Sequence, residues 1–120
     1  MFPQGADSAR FRSLEPYDFH MQYLRNDPAV IIDVRTKMEY RHNRIKDAVN
    51  LPSSQDLSNY TDTLSRDYHL FLYCTTGYRS RRAAEFLYEK GFRNLYNLEG
   101  GITAWNKDGM PLEKRRPKRK

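Results

Sequence analysis

The chain has 120 residues with a single cysteine and a formal net charge of +6 at pH 7. This length supports one domain with one core, and a single cysteine excludes both an internal disulfide and a cysteine-based metal cluster. The three histidines, His20, His42 and His69, have no ligand-like spacing. We therefore expect no bound metal and no cofactor.

Most of the positive charge lies at the C-terminus. Residues 114–120 hold six of the 21 Lys and Arg residues, whereas residues 1–112 carry 15 basic and 14 acidic side chains, a net charge of +1. We expect 113–120 to be a disordered basic tail, as is usual for terminal charge runs. Such a tail can contact phosphates, but no aromatic residue alternates with its charges to stack on bases. Nucleic acid is therefore not an expected partner.

Two absences in the sequence bear on localisation. The N-terminus lacks the basic start and apolar run of a signal peptide, and no apolar run approaches membrane-spanning length. A free thiol also survives best in a reducing compartment. We therefore expect a cytoplasmic protein that does not contact a membrane.

The first elements are predicted from short local patterns. Residues 1–10 look loose, and Phe11 begins an expected edge strand at the start of a domain spanning 11–112. Ser13 is expected to cap a helix over about 14–25, because an acid and a proline follow it in the first turn.

The rest of the chain alternates between strand and helix patterns. Residues 29–34 form a nearly continuous apolar run, typical of a parallel strand buried on both faces. Further strands are expected at 48–52, 69–73 and 94–98, and further helices at about 38–42, 53–64, 80–90 and 100–105. This alternation predicts an α/β domain in which a mainly parallel sheet of about five strands has helices on both faces.

The cysteine, Cys74, directly follows the strand predicted at 69–73 and opens a polar turn into the next helix. Backbone N–H groups of such a turn and the positive end of the helix dipole favour a thiolate. A cysteine at a strand end is often only a small buried hydrophobe. Here the polar turn contains a glycine and Arg79, a combination that ending a strand does not require. We interpret Cys74 as a nucleophile beside an anion pocket.

The residues that follow Cys74 are the candidates for binding an anionic substrate: Thr75, Thr76, Gly77, Tyr78, Arg79 and Ser80. Gly77 allows the turn to approach an anion closely, and the planar fork of Arg79 suits an oxyanion. Ser80 supplies a hydroxyl and is a candidate cap for the helix. Tyr78 is expected at the crest of the turn, where it would gate access.

Asp33 and Arg35 follow the predicted strand 29–34 at its carboxyl end, the edge at which parallel sheets collect ligands. Charged pairs of this kind often support loops rather than react. We expect a supporting role for both residues.

Four blocks of sequence carry a family resemblance: 32–35 with Glu39-Tyr40, 48–52, 74–80, and Gly100-Gly101 with Trp105. Together they resemble the rhodanese (thiosulfate sulfurtransferase) family, specifically its short single-domain members, over about residues 11–112. The resemblance implies a loop whose N–H groups surround the Cys74 sulfur. It also implies a ping-pong cycle, in which Cys74 takes sulfur from a donor such as thiosulfate and passes it, as a persulfide, to an external thiol, a thioredoxin-like protein or cyanide.

The chain departs from the family pattern at 43–48, where many relatives have Gly-His-Ile-x-Gly-Ala. Asn43 and Asp47 replace the two glycines, and these residue types tolerate left-handed backbone best. Arg44 replaces the histidine. We expect an altered surface near the site and intact catalysis.

Two other functions remain open from the sequence. Cysteine-dependent phosphatases and arsenate reductases need Cys-x5-Arg, whereas Arg79 gives Cys-x4-Arg, a loop one residue too short. A non-enzymatic sulfur carrier or rhodanese-like binding module would use the same turn, and the sequence does not separate a carrier from an enzyme.

Overall fold

The computed structural model describes residues 8–115. Residues 1–7 of the expected loose N-terminus and residues 116–120 of the expected basic tail lie outside the described residues. The elements in chain order are β1 (Arg12–Leu14), α1 (Pro16–Arg25), β2 (Ala29–Asp33), α2 (Lys37–His42), β3 (Asn43–Arg44), β4 (Val49–Asn50), α3 (Ser54–Thr61), β5 (His69–Tyr73), α4 (Tyr78–Glu89), β6 (Asn94–Leu98), α5 (Gly101–Lys107) and β7 (Glu113–Lys114).

The predicted α/β fold is confirmed. Five strands form one sheet in the order β1-β6-β5-β2-β4, and every neighbouring pair is parallel. Parallel neighbours need long crossovers, which the helices supply. The carboxyl ends of β2, β5 and β6 therefore meet at one edge of the sheet.

Alternate side chains of the central strand β5 enter two cores, one on each face of the sheet. Leu72 and Cys74 lie in the core shared with α4. Phe71 lies in the opposite core, where its ring packs edge-on against Phe19 of α1 and stacks on Tyr96 with centroids 4.2 Å apart. Each fully buried side chain of this size contributes about 1.5–3 kcal/mol. These two cores fix β5, and with it the position of Cys74.

The start of the first helix differs from the sequence prediction. Ser13, expected to cap a helix, lies in β1 opposite Asn97 of β6, and α1 begins at Pro16. The prediction was wrong because pairing with β6 holds Ser13 in an extended conformation, and local capping preferences yield to that tertiary pairing.

The segment after α5 forms a small second sheet. Glu113–Lys114, at the start of the expected basic tail, pairs antiparallel with β3, so that Arg44 lies opposite Glu113. The Arg44 Nε and Glu113 Oε1 atoms are 3.6 Å apart. Sequence patterns did not predict either of these two-residue strands.

No helix within residues 8–115 has both the length and the apolar character needed to cross a membrane.

Helix α5 packs directly against the turn that follows Cys74. The N–H of Ile102 donates to the Cys74 carbonyl at 2.9 Å, and the N–H of Thr103 donates to the Thr75 carbonyl at 3.1 Å. These carbonyls satisfy amides that the start of a helix leaves free. A Cβ on Gly101 would lie 2.6 Å from the Cys74 carbonyl oxygen and would also overlap that of Thr75. Only glycine fits between α5 and the turn.

We predict that Gly101→Ala destabilises the protein far more than Gly109→Ala does. Both glycines have positive φ, 64° and 74°, but a Cβ on Gly109 meets nothing within 4 Å. The left-handed conformation alone should cost Gly109→Ala about 1 kcal/mol. Overpacking against backbone should cost Gly101→Ala about 2 kcal/mol more. Urea unfolding of the two variants measures this difference. Equal losses of unfolding free energy would show that α5 can move away from the turn without cost.

Candidate active site

The sulfur of Cys74 is surrounded by hydrogen-bond donors. It accepts from the backbone N–H of Gly77 at 3.1 Å and from that of Ser80 at 3.4 Å, and the Ser80 hydroxyl also lies within hydrogen-bond distance, at 3.4 Å. Cys74 itself is 1% exposed. The sequence prediction of N–H groups around the sulfur therefore agrees with the observed geometry.

The balance of two opposing effects sets the pKa of Cys74. Burial raises this pKa, because a thiolate loses solvation. Hydrogen bonds from Ser80 and from the backbone N–H groups of Gly77 and Thr76 outweigh burial and lower the pKa below its ordinary value. The site therefore favours the nucleophilic thiolate.

The turn between β5 and α4 depends on Gly77. This residue is the N-cap of α4 with φ 105°, a left-handed conformation that glycine adopts without strain. The expectation that Ser80 caps the helix was wrong, because α4 begins two residues earlier, at Tyr78. Ser80 is instead fully buried within the first turn of α4, where its hydroxyl faces the sulfur.

Arg79 is held by Glu39 of α2. Its guanidinium donates to both carboxylate oxygens of Glu39, at 3.0 and 3.3 Å, and to the Thr75 hydroxyl at 3.0 Å. The Thr75 hydroxyl in turn donates to Glu39 at 3.0 Å. Hydrogen bonding from Arg79 is the largest contribution that lowers the pKa of Glu39 to about 2. This ion pair ties the Cys74 turn to α2.

Glu39 was not among the sequence-predicted site residues, although the sequence contains a signal for it. Thr36 and Glu39 form a capping box, in which the Thr36 hydroxyl accepts from the Glu39 N–H and the Glu39 carboxylate accepts from the Thr36 N–H. The Thr-x-x-Glu spacing is the recognised pattern for this motif. That spacing places the Glu39 carboxylate at the start of α2, within reach of Arg79.

A cavity of about 590 Å³ opens beside the turn, between α2 and α5. Its lining residues come mainly from these two helices and the ends of β2 and β3: Arg35, Thr36, Met38, Glu39, His42, Asn43, Thr75, Ile102, Thr103 and Asn106. Cys74 does not line this cavity, but its neighbour Thr75 does. Arg79 instead borders a second cavity of about 270 Å³ on the α3 side.

The remaining predicted binding residues differ in exposure. Thr76 is exposed, and its backbone N–H faces the sulfur. Tyr78 is 66% exposed, with its hydroxyl 3.4 Å from an Arg82 nitrogen, and it does not line the 590 Å³ cavity.

Asp33 and Arg35 form a buried ion pair at the end of β2. The Arg35 Nη2 and Asp33 Oδ2 atoms are 2.7 Å apart, and both residues are at most 3% exposed. Arg35 also donates to the Asn43 side chain at 3.1 Å and to its backbone carbonyl. The pair thereby fixes β3 against the main sheet, which is the geometry of a supporting role.

The two residues in glycine positions behave differently. Asp47 has φ 72°, a left-handed backbone of the kind that this residue type tolerates. Asn43 has φ −157° and is extended, so its position does not require that tolerance. Its pairing in β3 and its bonds to Arg35 determine this conformation.

Within residues 8–115, no group of three or more His, Cys, Asp or Glu side chains is arranged to hold a metal ion.

Comparisons with known proteins agree with this fold and turn. A profile of the rhodanese-like domain family matches residues 19–108. The thiosulfate sulfurtransferase GlpE of Actinobacillus succinogenes is 32% identical over 90 residues, covering 75% of this chain and 80% of that protein. The tRNA uridine(34) hydroxylase of Hamiltonella defensa is 35% identical over 101 aligned residues, covering 76% of this chain but 28% of that protein. The crystal structure of a rhodanese-related protein from Thermoplasma volcanium is 30% identical, with a TM-score of 0.72, covering 85% of this chain and 97% of that one.

We predict that the stability contributed by the Glu39 carboxylate is lost in acid. Because its pKa is lowered from 4.5 to about 2, the contribution is complete above pH 4.5 and disappears as the pH falls towards 2. Glu39→Gln should lower the free energy of unfolding at pH 7 by less than about 1 kcal/mol, since both partners are partly exposed. Urea unfolding at pH 7, 5, 4 and 3 should show that the difference in unfolding free energy between the native protein and Glu39→Gln becomes smaller as the pH falls. An Arg79→Ala background is the control, and a difference that persists there would show that Glu39 acts without Arg79.

Proposed function

Because this chain belongs to the rhodanese-like domain family, we propose that it is a sulfurtransferase that works through a persulfide on Cys74. The donor is thiosulfate or a related sulfane-sulfur compound, and the acceptor is an external thiol, a thioredoxin-like protein or cyanide. The observation that carries this proposal is the set of N–H and hydroxyl donors around the Cys74 sulfur.

The proposed first step is a displacement at sulfur. The Cys74 thiolate attacks the outer sulfur of thiosulfate, a new S–S bond forms, and the donor S–S bond breaks. Sulfite leaves with the electron pair, and Cys74 carries a persulfide. Preorganised N–H groups stabilise negative charge that develops beside the sulfur.

The second step transfers the outer sulfur to an acceptor. A thiolate or cyanide attacks this sulfur, the persulfide bond breaks, and the electron pair returns to Cys74 as thiolate. The sequence contains no second cysteine that could attack the persulfide from within the chain. The acceptor is therefore a separate molecule.

The burial of Cys74 restricts the shape of the donor. With 1% of the residue exposed, the sulfur is reached only by a slender group that ends in the reacting atom. Thiosulfate meets this requirement, because it ends in a single outer sulfur atom. The neighbouring 590 Å³ cavity offers room for the remainder of a larger donor or acceptor.

We predict that the reduced protein gains the mass of one sulfur atom when incubated with thiosulfate. Cyanide should discharge the added sulfur, and Cys74→Ser should gain none. Intact mass spectrometry measures both steps. Loading only from a protein persulfide would favour a sulfur carrier over an enzyme. The absence of an adduct, together with hydrolysis of a phosphate ester, would overturn the proposal.

We further predict that Arg79→Ala weakens thiosulfate use more than it weakens folding. The side chain is 43% exposed, so the loss of its ion pair should cost less than about 1 kcal/mol of stability. Loss of its charge beside the turn should slow loading by about tenfold or more, as removal of a preorganised donor does. Arg12→Ala, which removes an exposed positive charge on β1, is the matched control. Parallel losses of stability and loading rate would make Arg79 purely structural.

A further inference from the structure

A buried chain of polar side chains leads away from Cys74 along the face of the sheet that α4 covers. The Ser80 hydroxyl lies 3.4 Å from the sulfur and 2.5 Å from Asn97 Oδ1. Asn97 Nδ2 donates to the Ser13 hydroxyl at 2.9 Å, and Ser13 donates to Glu99 Oε1 at 2.6 Å. Ser80 and Asn97 have no exposed surface, and Ser13 is 3% exposed. Polar groups buried this deeply are strongly coupled to one another.

The Glu99 carboxylate fixes the direction of every hydrogen bond in this chain. A carboxylate only accepts, so the Ser13 hydroxyl gives its proton to Glu99. The Ser13 oxygen then receives the amide N–H of Asn97, which turns the Asn97 carbonyl oxygen towards Ser80. That oxygen accepts only, so Ser80 is the donor in the bond to Asn97.

Ser80 therefore has more acceptors than protons. Its single hydroxyl proton faces Asn97 Oδ1, the Gly77 carbonyl at 3.2 Å and the Cys74 sulfur. The contact with Asn97 is the shortest of the three. A proton donated to Asn97 is not donated to the sulfur.

We propose that Asn97 is a positioning residue that favours the thiol form of Cys74. It does so by competing with the sulfur for the hydroxyl proton of Ser80. When Cys74 ionises, its thiol proton passes to solvent, and the Ser80 hydroxyl turns from Asn97 to the thiolate. If sulfur is loaded, the negative charge moves to the outer sulfur of the persulfide, and the hydroxyl returns to Asn97. No covalent bond to Ser80 or Asn97 forms or breaks.

The charged groups at this end of the sheet do not replace that role. Six of them form three ion pairs: Arg79 with Glu39, Arg81 with Glu99, and Arg35 with Asp33. Arg82 of α4 instead contacts Tyr78, with a nitrogen 3.4 Å from the Tyr78 hydroxyl. His42 lines the adjacent cavity. Among the described residues, the hydrogen bonds to the sulfur come from Ser80 and the backbone of the turn. Asn97 therefore affects the ionisation of Cys74 through the Ser80 side chain.

The test is the pH at which Cys74 ionises in variants of Asn97 and Ser80. Because the chain has one cysteine, the ultraviolet absorbance of the thiolate reports Cys74 alone once a Cys74→Ala blank removes tyrosine ionisation. Asn97→Leu should lower the midpoint by about one pH unit, since Asn97 Oδ1 then no longer competes with the thiolate for the Ser80 proton. Ser80→Ala should raise the midpoint by a similar amount. The double variant should match Ser80→Ala.

Two results would overturn the proposal. One is an unchanged midpoint in Asn97→Leu, and the other is an Asn97→Leu shift that persists in the Ser80→Ala background. Asn97→Ala, made in parallel, removes the same polar group without adding bulk and supplies the readout if the Leu variant does not fold. Asn94→Leu on the same strand is the matched control and should leave the midpoint unchanged, because Asn94 donates to the Asp67 carbonyl instead.

The inference deepens the proposed function but is tested separately from it. The titration needs no sulfur donor. If Asn97→Leu shifts the Cys74 midpoint as expected but the protein never loads sulfur, the proposed sulfurtransferase function is refuted and the role of Asn97 stands.

Discussion

The hydrogen bonds between the first amides of α5 and the carbonyls of Cys74 and Thr75 are the interaction on which the site depends. In a trans peptide the C=O and N–H groups point in opposite directions. The peptide between Thr75 and Thr76 gives its oxygen to the Thr103 amide and its N–H to the sulfur. Helix α5 therefore orients N–H donors that belong to the Cys74 turn. The absence of a Cβ on Gly101 allows the helix to lie close enough to the turn for these hydrogen bonds.

The hydrogen bonds to the sulfur come from dipoles rather than from charged side chains. The three arginine–carboxylate pairs at this edge have little net charge, so a thiolate there depends on oriented N–H groups and one hydroxyl. Such groups are fixed by backbone geometry and need little rearrangement when charge develops. The Arg79–Glu39 ion pair also holds the turn to α2.

The sequence was sufficient to predict the sheet, the position of Cys74 and the donors around it. These follow from a buried apolar strand that ends in a glycine-containing turn, and both signals are local. Ser13 and Ser80 were misassigned as helix caps, because their partners, Glu99 and Asn97, are distant in sequence and come close only in the folded sheet. Asn97 carried a weaker signal, a polar residue at an inward position of an apolar strand. Its partners could not be identified without the register of β1 on β6.

The burial of Cys74 has a consequence for unwanted oxidation. A disulfide between two copies requires sulfur atoms about 2.05 Å apart and Cβ atoms about 3.5–4.5 Å apart. A cysteine that is 1% exposed beneath its own turn cannot approach a second such cysteine to these distances while both chains remain folded. The fold thus permits an activated thiolate without covalent dimerisation. The thiolate is protected because a second buried sulfur cannot approach it, and not because it is unreactive.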